Sequence, residues 1–90
     1  MLRIYENLFQ ISYKNNLLIL TPKEYEVLKI LIKKSHKLIS KDELKKEIWN
    51  NKITKSRVID SCICRIRKKL KKLGHPGISV RFKRGYRLIN

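Results

Sequence analysis

Acidic side chains are what this chain has least of. Asp and Glu together number 7 among 90 residues, against 23 Lys and Arg, so the formal net charge is +16. Solubility needs far less than that, and a surplus of this size points to a polyanionic partner. Cysteine is nearly as scarce. Cys62 and Cys64 are the only two, which excludes a disulfide-stapled secreted miniprotein and a four-cysteine metal site and fits a reducing, cytoplasmic compartment. Two positions apart on a helix, they point 200° away from each other and cannot bridge. His36 and His75 stand alone, so neither a metal nor any other cofactor is expected. No apolar run approaches the roughly 18 residues of a membrane span, and the N-terminus lacks the order of a signal peptide. Three glycines and two prolines leave no room for a flexible linker. Residues 1–90 therefore read as one domain, and 42% hydrophobic residues suffice for its core.

The few acids also argue against catalysis. Glu24, Asp42, Glu43 and Glu47 are accounted for by helix capping and surface pairing, which leaves no carboxylate pair, no nucleophile beside a base and no glycine-rich phosphate loop. The expectation is a protein that is not an enzyme. The basic charge, by contrast, is concentrated. Residues 1–50 carry 10 basic and 6 acidic side chains, a net +4, whereas residues 51–90 carry 13 basic and 1 acidic, a net +12. Ordinary surface solvation mixes both signs. A membrane-surface helix is the weaker option, because the basic helix described below offers only Ile and Leu on its apolar stripe, without Trp or Phe.

Short strands are expected at Leu2–Tyr5, Leu8–Tyr13 and Leu17–Leu20, with Lys14, Asn15 and Asn16 as a polar turn. Thr21, Pro22 and Glu24 then form a capping box with proline at the first helical position. The helix they open carries Tyr25, Val27, Leu28, Leu31 and Ile32 at helical spacing and ends near Lys33 and Lys34. Ser40 and Glu43 repeat the box before a short second helix with Leu44, Ile48 and Trp49, broken by Asn50 and Asn51. A third helix opens near Ser56 and runs to Leu73, where Gly74, His75, Pro76 and Gly77 stop it. Ile78–Phe82 and Tyr86–Ile89 read as a hairpin across Lys83, Arg84 and Gly85. The fold class is α+β.

Ile59, Ile63, Ile66, Leu70 and Leu73 lie within about 40° of one line on the third helix, a core-facing stripe. Arg57, Ser61, Cys64, Arg65, Lys68, Lys71 and Lys72 all lie at least about 120° from it. One helical surface is thus almost wholly cationic, with Asp60 alone on its flank. Such a helix suits the major groove of duplex DNA, with Ser, Arg and Cys near its start to read base edges and a Lys run beyond to hold phosphates.

The stretches LTPKEYEVLKIL, LISKDELKKEIW, RVIDSCICRIRKKL and ISVRFKRGYRLI, in that order, resemble the winged helix-turn-helix effector domain of OmpR/PhoB-type bacterial response regulators over nearly the whole chain. The resemblance implies a four-stranded N-terminal sheet, three helices with the third in the major groove, and a C-terminal hairpin wing at the adjacent minor groove. It places Arg57, Val58, Ser61, Cys62, Cys64, Arg65 and Arg67 at DNA contacts and brings the Trp49 indole N–H to a phosphate, although a lone Trp serves a small core equally well. Asp60 becomes a partner that orients a nearby Arg. Gly85, Tyr86 and Arg87 match the wing base, with Tyr86 counted among the contacts. Phe82 and Lys83 replace the Arg and first Gly of the usual wing pattern, so Arg81, Lys83 or Arg84 takes over the groove contact. Segment 50–56 corresponds to a loop that meets RNA polymerase in activators of the family. The phosphoreceiver domain that usually precedes this one is not in the chain, which begins at Met1, so a stand-alone regulator is expected, assembling as a homodimer on tandem half-sites. The competing readings are a winged-helix interaction module for an acidic protein or RNA polymerase, and a non-specific nucleic-acid binder.

Overall fold

The computed structural model describes residues 1–52, 55 and 57–89. The expected start of the third helix at Ser56 lies outside them, as do Ile53 and Thr54 of the proposed polymerase loop. Strands β1 (Leu2–Tyr5), β2 (Gln10–Tyr13) and β3 (Asn16–Leu17) form an antiparallel sheet in that order. Three helices follow, α1 (Pro22–Lys33), α2 (Lys41–Trp49) and α3 (Arg57–Lys72), and then the hairpin β4 (Ile78–Arg81) and β5 (Gly85–Leu88). This is the winged-helix arrangement.

The N-terminal sheet corrects the strand reading. Leu8 lies not in a strand but in a 3-10 turn over Glu6–Leu8, closed by Phe9 in the left-handed conformation. Both side chains are left exposed. Lys14 and Asn15 also take positive φ, so β2 and β3 are joined by a tight two-residue turn and Asn16 already belongs to the strand. β3 stops at Leu17. The Leu18 N–H still donates to the Ile11 carbonyl at 2.9 Å, but Ile19 is exposed, and the sheet has three strands among the described residues, not the four that the family resemblance implies.

The helices start where their caps require. The Thr21 hydroxyl accepts from the Glu24 N–H and the Glu24 carboxylate accepts from the Thr21 N–H, both halves of a capping box. On α2 the Ser40 hydroxyl accepts from the Glu43 N–H, while the Glu43 carboxylate turns to Lys34 at 2.9 Å instead. Asn50, left-handed, closes α2. The end of α3 is a Schellman motif: the His75 N–H donates to the Leu70 carbonyl and the Gly74 N–H to that of Lys71, with Gly74 at φ +90°.

The core gathers Ile11, Val27, Leu28, Leu31, Leu44, Ile59, Ile63, Ile66 and Leu70 with Ile78 and Leu88 of the hairpin. The hairpin is also pinned by backbone. Ile39, between α1 and α2, exchanges two hydrogen bonds with Tyr86, at 2.7 and 2.9 Å. Gly85 makes that approach possible, since a Cβ there would come within 2.3 Å of the Ile39 carbonyl oxygen. β4 ends one residue earlier than expected and β5 starts one residue earlier, so Phe82, Lys83 and Arg84 form the tip.

Candidate nucleic-acid interface

On α3 the burial pattern separates two faces. Ile59, Ile63, Ile66 and Leu70 are buried, and Arg57, Ser61, Cys64, Arg65, Lys68, Lys71 and Lys72 are all exposed. The stripe arithmetic therefore holds at every one of those positions. Leu73 is half-buried just past the helix end.

Residues between the two faces depart from the resemblance. Cys62 is 1% exposed and belongs to the core cluster. It cannot contact DNA, because its place about 60° from the stripe turns it inward against α1. Burial pushes its thiol up to about 11. Cys64 is free and exposed. Alkylation at mildly alkaline pH should therefore label Cys64 in the folded protein at least about a hundredfold faster than Cys62, with both labelled in denaturant. Equal rates, read by peptide mass spectrometry, would contradict the orientation of α3. Arg67 is half-buried, with its Nε enclosed and without a hydrogen-bond partner among the described residues. Val58 remains partly exposed.

Arg65 is anchored from below. Its Nε donates to Glu24 Oε2 at 2.9 Å, and the Lys69 ammonium reaches Glu24 Oε1. Glu24, which completes the capping box as the sequence suggests, is also fully buried. Burial alone would raise its pKa, but hydrogen bonds from Lys69, Arg65 and the Thr21 N–H outweigh that cost and hold it below the ordinary carboxylate value. The Arg65 side chain nevertheless stays 54% exposed. With its Nε bound to Glu24 the guanidinium loses rotational freedom, which lowers the entropy lost when its free nitrogens engage a ligand.

Asp60 pairs with different groups from those expected. It accepts from the Tyr86 hydroxyl at 2.6 Å and from Lys41 at 3.0 Å, and no arginine contacts it among the described residues. Those two bonds lower its pKa. Tyr86 is correspondingly buried, and burial together with the Asp60 bond raises its phenol well above the usual range. Its hydroxyl is thus committed to tying the wing to α3 rather than to a DNA contact, for which it was counted. Trp49 joins the core cluster at the end of α2, with the Lys23 ammonium 5.6 Å from the ring centroid. Of the two roles open to it, the structure favours the core.

At the wing, Arg81, Lys83 and Arg84 are exposed together with Arg87 on β5. A cleft of about 600 Å³ lies between the wing and the start of α2, lined by Ser40, Lys41, Arg81 and Phe82 among others, with Asp60 of α3 also on its wall. Among the described residues no group of three or more His, Cys, Asp or Glu could hold a metal ion, and no helix is long and apolar enough to cross a membrane.

Residues 15–88 match the family model described as "Transcriptional regulatory protein, C terminal". The probable transcriptional regulator ycf27 of Cyanidium caldarium is 40% identical over 65 residues, covering 64% of this chain and 26% of the relative. The chain thus spans about a quarter of that relative's length. Among solved structures, the DNA-binding domain of the response regulator AdeR, in complex with an intercistronic region, superposes with a TM-score of 0.86 at 29% identity, over 99% of this chain and 94% of that one. The DNA-binding domain of CpxR from E. coli does so with a TM-score of 0.84 at 27% identity, over 99% and 90%. With the motif order, the winged-helix topology and the cationic face of α3 in agreement, the chain belongs to the OmpR/PhoB-type family of C-terminal, DNA-binding domains of transcriptional regulatory proteins.

Proposed function

We propose that residues 1–90 act as one unit that binds duplex DNA sequence-specifically, with α3 in the major groove and the wing at the neighbouring minor groove. The observation that carries this is the uninterrupted exposed face of α3, opposite a fully buried apolar stripe. Arg57, Val58, Ser61, Cys64 and Arg65 lie nearer the helix start and read base edges. Lys68, Lys71 and Lys72 hold phosphates, and Arg81, Lys83 and Arg84 serve the wing. The chemistry is recognition without catalysis, in the cytoplasm. The AdeR domain's complex with an intercistronic region supports a duplex DNA target here too. Assembly of two copies on tandem half-sites and a contact of segment 50–56 with RNA polymerase belong to the same reading.

Selection from a random duplex pool at physiological salt tests it. A shared motif in the enriched sequences is expected. Retention without enrichment of any motif would leave a non-specific polyanion binder, and no retention would favour a protein-binding module.

A further inference from the structure

The wing tip carries a residue that electrostatics does not explain. Phe82 is 85% exposed, at the outermost turn of the hairpin. Ile78, Val80 and Phe82 are alternate positions, and their exposure rises from 2% through 49% to 85%, so an apolar line leaves the core and ends in solvent. One exposed aromatic on an arbitrary surface needs no explanation. This one is flanked by the exposed Arg81, Lys83 and Arg84, with the Lys83 ammonium 5.4 Å from its ring centroid. An acidic or apolar protein surface would match either the ring or the cations. The groove of a nucleic acid matches both, because phosphates line its rims and stacked bases form its floor.

We infer that Phe82 is a wedge that enters the minor groove beside the α3 site, partly unstacks one base step and bends the duplex away from the wing. The inference rests on the DNA-binding reading above and adds to it a source of specificity. The cleft between the wing and the start of α2 is walled on one side by the exposed Arg81 and on the other by the half-buried Lys41, paired with Asp60, and by Asp42, and the sugar-phosphate backbone separating the two grooves can lie along its Arg81 side. With that backbone in the cleft, the tip faces the groove next to the one that α3 occupies. Apolar side chains, Phe among them, kink DNA by about 20–90° when they insert between base steps from the minor groove. Pyrimidine–purine steps such as TA and CA/TG unstack at least cost. The wing therefore selects sequence through deformability, without hydrogen bonds to base edges, at a position displaced from the α3 contacts.

The test uses a duplex of about 30 base pairs built on the sequence enriched by the parent protein, with 2-aminopurine at the step under the wing and a donor and acceptor dye at its ends. Binding of the parent should raise the 2-aminopurine emission severalfold and shorten the dye separation. Phe82→Ala should lose both signals and bind roughly tenfold more weakly with an unchanged salt slope, while Phe82→Leu retains part of each. Phe82→Arg should recover affinity without unstacking, and its salt slope should steepen by about 0.9 for one added phosphate contact. A pool repeated with Phe82→Ala should lose the preference for a pyrimidine–purine step at the wing position. Because Phe82 is exposed, these variants should melt like the parent. Enrichment of a motif on a straight, fully stacked duplex would overturn the wedge and leave the DNA-binding reading intact. Failure to enrich any motif would overturn both. A change confined to self-association in sedimentation without DNA would assign Phe82 to a protein interface instead.

Discussion

Replacing Ile63 with Asp should abolish the folded state at 25 °C, whereas Lys68→Ala, five residues further along the same helix, should melt within a degree or two of the parent. Ile63 is 2% exposed and sits between Ile59 and Ile66 in the cluster that joins α1, α2 and the hairpin. The substitution removes an apolar side chain worth about 2–5 kcal/mol in a core and inserts a carboxylate that has no partner there. An unpaired buried charge adds a further penalty of several kcal/mol, even when the group protonates to escape it. A domain of this size has about 5–14 kcal/mol of total stability, so the sum is comparable with the whole. Lys68 projects from the opposite face into solvent. Thermal melts followed by circular dichroism decide between the two faces, and a parent-like melting temperature for Ile63→Asp would mean that the assigned core stripe is wrong.

Binding to duplex DNA should weaken steeply with salt. Exposed cations on α3 and the wing number enough for roughly five to eight phosphate neighbours, after allowing that Glu24 already neutralises part of the charge of Arg65 and Lys69. Each such contact releases counterions and contributes about −0.9 to the slope of log K against log salt, so a slope of about −5 to −7 is expected. Between about 50 and 200 mM salt the affinity should then fall by roughly a thousandfold or more. Titrations at four or more ionic strengths give the slope directly. A value near zero would show that the +16 charge of the chain serves some purpose other than neutralising phosphates.

The helices were legible because their signals are local. Thr21, Pro22 and Glu24 sit within four residues of one another, and the α3 stripe repeats at a spacing that only a helix brings to one line. The N-terminal strands were less legible. Nothing in Leu8 and Phe9 announces a 3-10 turn with a left-handed residue, since neither Gly nor Pro marks it. The resemblance named the right helix face but not its flanks. Cys62 and Arg67 sit 60–80° from the stripe by ideal helix geometry, about where solvent gives way to core, and which way such a position goes depends on the neighbouring helix. The anchoring of Arg65 by Glu24 joins residues 41 apart in sequence. Its one local signal was the pair Arg65 and Lys69, two cations a turn apart on the side facing α1, while the one acid of α3, Asp60, lies on the other flank. Likewise the Tyr86–Asp60 bond follows from the approach of Gly85 to Ile39, which no pattern within either segment encodes.

That anchoring sharpens what each part of α3 should do. A guanidinium held by a buried carboxylate loses rotational freedom, which suits a bidentate contact to guanine. Lys72, at the far end of α3, is exposed and suits a phosphate. The central claim is that the exposed face of α3 reads sequence, and it is tested most directly by measuring Arg65→Ala and Lys72→Ala on the enriched duplex and on a scrambled one, well below each variant's melting temperature. Arg65→Ala should lose about 1–3 kcal/mol on the enriched duplex and much less on the scrambled one, flattening discrimination, while Lys72→Ala weakens both by the same factor. If Arg65→Ala instead lowers affinity for both duplexes equally, Arg65 does not read bases and the account of sequence recognition by this face of α3 is contradicted.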